Sequence, residues 1–577
     1  MTLISAATNR WCAGLIVLLG ALVYSGSLNH PFQYDDVHSI VENPHIRSLA
    51  NIPRFFAEPE LFSADPRNAM YRPLVLVSYA LNHALSGYEV WSYHLVNLGI
   101  HLGTSVLVRA LVLQMGGAGL QAGLAGLVFA LHPLASEPVN YISSRSESLC
   151  AFFLLLAFYG QGCGQRTLGA VAFAASLLAK SVGIALLPLL LLHELWFRGG
   201  WPGSAALARR QGAYWLLGAG YLVVVWGAID TAVVSHPVRS LVVQGLTQAK
   251  ALAYYLKLLW LPWGQSVEPP FTLARSAASA AVWAPLLLLA HGGVLSWRLG
   301  QSRRPAFWLA WALLTLLPSS AVPLNVLVNE HRLYLPLVAF AALVGGMLAE
   351  LTQTRWRWGL VAVTCCLGGY GALSWQRSQV WQSPAMLWAD AAAKGAYMPR
   401  PHLYLGDCHQ REGRYEEALR EYALARTVYP QVLSAGDALV VHNNTGAAHL
   451  ALGRLNEAMD AYRQALAIDP AYPQARVSLD ALVALQERAW EPQAHALHKR
   501  GLMLLIENRP AQAAEALEAS LTRQIRLETY RALGMAYEQL GEREKARQTY
   551  TALKTLAPES PFAENAEVKL DQLRGVK

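Results

Sequence analysis

Residues 446–470 read GAAHLALGRLNEAMDAYRQALAIDP, and the spacing within this stretch decides how the C-terminal part of the chain folds. Gly446 is followed by Ala458, Tyr462, Ala465 and Pro470. Gly406 has Ala418, Tyr422, Ala425 and Pro430 at the same offsets, and Gly534 has Ala546, Tyr550 and Pro558, with Tyr537 added. A weaker copy runs from Gly501 through Ala513 and Leu517. Two short helices joined by a tight turn account for the pattern. Small residues where the helices face each other let the backbones approach, an aromatic ring fills the groove beside them, and proline ends the second helix.

Units of about 34 residues built this way are tetratricopeptide repeats (TPRs). The pattern predicts repeats near 399–432, 439–472, 494–526 and 527–560, with a further helix at 474–490. Four or five stacked hairpins make a short superhelix whose concave face binds peptides or proteins. A spacer with no ligand is the plainer alternative.

Working outward, the composition changes at 380/381. Before it the chain is dominated by Leu, Ala, Val and Gly runs; after it the sequence is polar and Ala-rich. Two domains are therefore expected, 1–380 in a membrane and 381–577 outside it. Lys plus Arg against Asp plus Glu is 23 to 14 before the boundary and 23 to 24 after it. The net charge of +8 thus belongs to the membrane part and argues for short basic loops, not for nucleic acid. The 11–28 run lacks a small-residue cleavage site and is expected to stay as a first span. The six cysteines show neither a disulfide framework nor zinc spacing.

Eleven spans are expected, at 11–28, 91–114, 118–134, 146–162, 167–180, 182–197, 213–234, 277–298, 305–322, 333–353 and 358–376. Several fall short of the ~20 residues of a simple crossing. Segment 246–262 reads as an amphipathic or re-entrant helix. With the N-terminus cytoplasmic, the densest basic linkers (164–166, 198–210, 298–304 and 355–357) fall on the cytoplasmic side, as the positive-inside rule requires. The other face then receives the first loop, 29–90, together with 132–145, the turn at Lys180, 318–336 and the TPRs. Every unusual polar cluster of the membrane part gathers there: Tyr34-Asp35-Asp36 with Asn43-Pro44; Tyr71-Arg72-Pro73; His132-Pro133 with Glu137, Asn140, Tyr141 and Arg145; Lys180; and Asn329-Glu330-His331-Arg332-Leu333-Tyr334.

At these positions the sequence resembles the GT-C class of membrane glycosyltransferases, and within it the transmembrane, TPR-containing O-mannosyltransferases and their bacterial-type relatives. The strings that carry the resemblance are Phe-x-Tyr-Asp-Asp at 32–36, Tyr-Arg-Pro-Leu at 71–74 and Tyr-His-Leu-Val-Asn at 93–97 with His101. They continue with His-Pro-x-x-x-Glu-x-Val-x-x-Ile-x-x-Arg at 132–145, Pro-x-Ser at 318–320 and Glu-x-Arg-Leu-Tyr-Leu-Pro at 330–336. Relatives tend to carry Ser-Lys-Glu at the short turn where this chain has Ala179-Lys180-Ser181, so a role for that acid does not transfer. The implied fold is all-α: a polytopic GT-C-like helical domain followed by a TPR α-solenoid.

The resemblance implies sugar transfer from a polyprenyl or dolichyl phosphate carrier to a hydroxyl acceptor, foremost protein Ser/Thr, on the extracytoplasmic face. A hydroxyl acceptor needs a general base, and Asp35 or Asp36 can serve. The departing phosphate gains negative charge, which Lys180, Arg332 and Arg145 can stabilise. Arg72, His132, Glu137, Glu330 and Tyr334 are expected in support. Inversion at the sugar follows from a single base and a phosphate leaving group. A divalent cation could sit beside two aspartates, but the sequence offers no further ligand. The expected partners are a lipid-linked sugar, a protein met through the TPRs, and membrane lipids.

Plainer readings exist for the same residues. Asp35-Asp36 could cap a loop, Lys180 could snorkel to the interface, His132 and Glu137 could brace a loop, Arg72 could anchor a helix start, and Glu330 could pair with Arg332. A membrane TPR scaffold for a pilus, polysaccharide or secretion assembly is the competing function. A transporter fits less well, because the ionisable groups collect at span ends rather than at mid-span. The compact loops and few repeats point to a bacterial inner membrane, with the TPRs periplasmic. The catalytic expectation requires Asp35, Glu137, Lys180 and Arg332 to converge.

Overall fold

The computed structural model describes residues 2–198, 203–230, 238–298, 303–324, 326–488, 490–556 and 561–574, and all regular structure among them is helical. Parts of the 198–210 and 298–304 linkers, the end of the 213–234 span and Pro558 lie outside the described residues. The chain divides into two compact units, Met1–Val441 and His442–Lys577. The change of composition at 380/381 therefore falls inside the first unit, which also holds the hairpin of helices Pro399–Arg411 and Tyr415–Thr427.

Five helical stretches of the first unit are long and apolar enough to cross a membrane: Trp11–Asn29, Val90–Gln114, Ile142–Gly162, Glu330–Thr354 and Trp356–Gln382. A sixth appears if Gly119–Leu131 and Pro133–Asn140, bent by 53°, count as one. The expected eleven is not reached among the described residues. Hydropathy marked apolar stretches without regard to where helices break. Arg166–Ala179 and Leu186–Phe197 have 14 and 12 residues, about 21 and 18 Å at 1.5 Å per residue, against a core of ~30 Å. The chain is a membrane protein, but the number of crossings no longer decides on which side each end falls.

Without a hydrophobic drive inside a bilayer, small residues set how closely helices pack. A Cβ on Gly345 would lie 2.7 Å from the backbone nitrogen of Ala125, and one on Gly160 would lie 3.2 Å from that of Gly169. Helix Tyr334–Thr354 thus lies against Gly119–Leu131, and Arg145–Gly162 against Arg166–Ala179, almost backbone to backbone. Segment 29–90 is a chain of short helical turns ending in helix Pro73–Ser86, which starts with proline directly after Arg72. Buried Asn43 ties these turns together, donating to the carbonyls of Ser39, Leu61 and Phe62.

In the second unit, paired helices run from Leu455–Ile468 to Pro561–Arg574. The expected packing is visible in its glycines. A Cβ on Gly446 would lie 2.8 Å from the Tyr462 ring, and one on Gly534 would lie 2.5 Å from the Tyr550 ring. Gly406 and Tyr422 repeat the arrangement in the first unit at 2.5 Å.

Candidate functional site

Tyr34 decides how the two aspartates are used. Its φ of 50° is sparsely populated for a residue with a Cβ and costs about 1–3 kcal/mol, so packing must hold it. The Tyr34 ring meets Tyr404 at 4.9 Å, Trp388 at 5.4 Å and Tyr141 at 6.2 Å, and the Arg400 guanidinium lies 5.9 Å from its centre. Helices Pro384–Lys394 and Pro399–Arg411 therefore clamp the loop from the repeat side of the same unit.

Beyond this turn the carboxylates part company. Asp36 is fully buried and accepts from the backbone N–H of Gln33 at 2.9 Å, the N–H of Ser143 at 2.7 Å and the Ser143 hydroxyl at 2.6 Å. Burial pushes its carboxyl up to about 7 against these three donors. Asp35 keeps 40% of its side chain exposed and lies 3.4 Å from His38 Nε2. Burial raises its carboxyl, but the hydrogen bond and charge of His38, with smaller help from Tyr141 and Arg400, outweigh that and hold it below the usual carboxylate range. Asp35 is an ionised carboxylate with an open side, whereas Asp36 pins the first loop to the turn at 142–144.

The same turn leads into a line of charge. Lys180 is ion-paired with Glu147, two residues past Arg145 on helix Arg145–Gly162. Glu147 lies 3.7 Å from His331 Nε2, and His331 Nδ1 donates to Glu137 at 2.7 Å. Arg72 donates to the Ser146 hydroxyl at 3.3 Å, lies over the Phe62 ring, and is within electrostatic reach of both Lys180 and Glu147. The Asp35-Asp36 loop and this Arg72–Lys180–Glu147–His331–Glu137 line are thus both fastened to residues 143–147. Glu147 was missing from the sequence reading, and His331 stood in the 329–334 cluster without a role. Lys180 without an acid beside it needs a counterion, and Glu147 is an acid inside an otherwise apolar helix, which is the signal that could have found it.

Other expected residues have structural partners instead. Arg145 is a correction: its guanidinium is fully buried and donates four hydrogen bonds, to Asn97, Ser78, Asn82 and the Tyr93 carbonyl, over the Tyr79 and Tyr93 rings, so it braces the helices around it. Arg332 donates to the carbonyls of Val326 and Leu327, so it braces that loop rather than joining Lys180. Glu330 accepts from the Tyr254 hydroxyl at 2.6 Å and the Ser266 N–H at 2.8 Å, so it holds segment 265–268 rather than pairing with Arg332. Tyr334 donates to His101 Nδ1 at 2.9 Å. His132 donates to the Leu259 carbonyl and accepts from the Leu134 N–H, bracing the bend at 132–133. Among the described residues no three His, Cys, Asp or Glu side chains are disposed to hold a metal ion.

Two openings flank these groups. An apolar groove of about 610 Å³ runs between helices Arg166–Ala179 and Ser204–Asp230, lined by Tyr71, Leu177, Leu178, Leu216 and Tyr221 among others. Its wall therefore includes Tyr71, the chain neighbour of Arg72, and Leu178, two residues before Lys180. A second cavity, of about 530 Å³, is lined by Arg239, Glu268, residues 326–328, Arg400 and residues 431–437. Arg400 lies 3.3 Å from Asp437 and 3.8 Å from Glu268. Burial pushes the Glu268 carboxyl up to about 7, against the opposing pull of Arg400.

Tetratricopeptide repeat models match residues 397–471 and 529–560. Protein O-mannosyl-transferase Tmtc3 of Drosophila melanogaster is 24% identical over 556 residues, covering 80% of this chain and 59% of that one. Protein O-mannosyl-transferase TMTC3 of Homo sapiens is 23% identical over 508 residues, covering 79% and 55%. TMTC2 of Mus musculus reaches 33% over 153 residues, 26% of this chain and 18% of that one. The chain is thus distantly similar to protein O-mannosyl-transferases over most of its length, and it spans 55–62% of the length of the TMTC3 relatives. Among solved structures, an Archaeoglobus fulgidus oligosaccharyltransferase aligns at 12% identity with a TM-score of 0.38, over 73% of this chain and 59% of that one. So loose a superposition carries no argument.

Proposed function

We propose that this chain is a glycosyltransferase that moves a sugar from a polyprenyl or dolichyl phosphate carrier to a hydroxyl of a protein, on the extracytoplasmic face of its membrane. The observation that carries the reading is that one ionised, accessible carboxylate and one largely buried line of paired charges, holding Arg72 and Lys180, are fastened to the same turn, 143–147. Asp35 is the base. It takes the proton of the acceptor Ser or Thr hydroxyl as that oxygen bonds to the anomeric carbon. The bond from that carbon to the phosphate oxygen breaks, and its electron pair stays on the phosphate. Arg72 and Lys180 meet the added negative charge, a stabilisation that is strongest where water is excluded. A single displacement of this kind inverts the anomeric centre.

Asp36 touches no substrate in this scheme; it positions Asp35 relative to Ser143. Glu147, His331 and Glu137 balance Lys180 until the phosphate arrives. The apolar groove beside Tyr71 and Leu177 takes the isoprenoid chain, since its wall holds the residue before Arg72 and one two residues before Lys180. The distant similarity to protein O-mannosyl-transferases favours mannose as the sugar and a protein as the acceptor. The basic linkers favour a cytoplasmic N-terminus, with the repeats in a bacterial periplasm, where they hold the acceptor or a partner.

The test is transfer from a synthetic polyprenyl phosphate mannose to Ser/Thr peptides by the purified protein. Asp35→Asn should lower turnover by about 10²–10⁴-fold, the worth of a general base, with an unchanged yield of folded protein. Full turnover by Asp35→Asn sinks the scheme.

A further inference from the structure

We infer that the cavity bounded by Arg239, Glu268, Val328, Arg400 and the 431–437 segment is the seat of the acceptor, and that the acceptor enters it as an extended polypeptide. The inference rests on the transferase reading for the identity of its ligand, and on the cavity alone for its place. A volume of about 530 Å³ lies within the ~300–1,000 Å³ usual for ligand sites. Its position follows from Arg400. That guanidinium lines the cavity, sits over the Tyr34 ring, and acts on the Asp35 carboxylate. A chain lying in the cavity therefore shares Arg400 with Tyr34, the chain neighbour of the proposed base.

The lining selects among ligands. Arg400 lies against Glu268 and Asp437, and Arg239 also lines the cavity, so both signs of charge are present and neither a bare phosphate nor a polycation is favoured. Helix Ala435–Ala451 opens at the cavity but makes no anion site there. The Ser434 hydroxyl already accepts its Asp437 N–H, and the Asp437 carboxylate sits in its first turn. The described lining holds no aromatic ring on which the apolar face of a sugar could stack. It offers instead aliphatic sockets at Leu273, Val326, Met398 and Leu433, between polar groups. A lining that mixes apolar and polar side chains suits an extended peptide, whose successive side chains point to opposite sides.

Binding and transfer are measured separately on the full-length protein in detergent. The binding probe is a pool of fluorescein-labelled short peptides with one Ser or Thr between random flanks, read by fluorescence polarisation. Gln431→Trp, Ala435→Trp and Val238→Trp fill the cavity from two walls, and all three start from exposed residues, so the fold tolerates them. Each should weaken binding by about tenfold or more. A wild type that does not bind the pool, or three variants that bind within about twofold of it, overturns the inference. Asp35→Asn read in the transfer assay addresses the transferase scheme alone, so the two can fail independently.

Discussion

In the first unit Lys180 and Glu147 face each other with 16% and 6% of their side chains exposed, whereas in the second unit Arg463 and Asp460 pair with 56% and 67% in water. The chemistry of the two pairs is similar and their energetics are not. An exposed pair exchanges one set of polar neighbours for another and leaves both options open. A buried pair has surrendered its hydration, so each partner depends on the other. The second unit has many exposed pairs close in sequence, such as Arg547 with Glu544 and Lys545 with Glu542. The first unit threads Lys180, Glu147, His331 and Glu137 through its interior. The difference separates charge that solvates a surface from charge kept ready for an anion.

The sharpest way to break this comparison is to remove one partner at a time. Lys180→Ala leaves buried Glu147 without its ion-pair lysine, with only His331 and Arg72 near it, and should cost up to about 3–5 kcal/mol of stability. Glu147→Gln should cost less, because Gln can still accept from Lys180. Lys180→Met combined with Glu147→Leu should recover much of the loss, since an apolar pair of similar volume avoids the desolvation. Unfolding of the detergent-solubilised protein measures all three. Single variants as stable as wild type would make the first unit's charges no different in kind from the second's.

A second test uses pH. Glu268 has its carboxyl raised from 4.5 to about 7 by burial, so the folded state holds this proton more tightly than the unfolded chain does. The stability it contributes is complete below about pH 4.5 and is lost as pH rises through about 7. The shift corresponds to at most about 3 kcal/mol, from 1.36 kcal/mol per unit. Glu268→Gln should therefore flatten the fall in stability between pH 5 and 8, with its largest gain over wild type at the alkaline end. Parallel pH profiles for the two proteins would mean that Glu268 stays charged beside Arg400.

The ease of reading these regions from residues alone differed for a physical reason. The repeats were legible because one packing relation, glycine under tyrosine, recurs at fixed offsets, and Gly446 with Tyr462 needs no distant partner to be recognised. The site was only half legible. Asp35 and Asp36 are adjacent in the chain, and nothing in their order says that the turn at Tyr34 sends one inward and leaves the other open. Arg145 resembled a phosphate ligand because its acceptors come from helices Pro73–Ser86 and Val90–Gln114, more than a span away in sequence. Glu147 and His331 were hidden by their neighbours, one behind Arg145 and the other between Glu330 and Arg332. Span number was only partly legible for a related reason, since hydropathy measures composition and not where a helix ends.

Within the repeats, packing should outweigh charge. Gly534→Ala places a methyl group 2.5 Å from the Tyr550 ring and should destabilise the protein by about 1–3 kcal/mol, as overpacked sites do. Combining it with Tyr550→Leu, which withdraws the ring, should cost less than the sum of the two changes. Strict additivity would mean that glycine and tyrosine are not coupled and that the close approach has another cause.

The smallest effect carries the other half of the comparison. Arg463 donates to Asp460 at 2.9 Å, a distance as good as many buried bonds, yet both side chains stay mostly in water. Their attraction is screened by solvent, and ordering two mobile side chains offsets most of what is left. Arg463→Ala should therefore change stability by less than about 0.5 kcal/mol, and 1 M salt should erase even that. A loss of several kcal/mol, like that expected at Lys180, would show that short distance alone sets the strength of an ion pair here. Burial would then not be what distinguishes the first unit's line of charge.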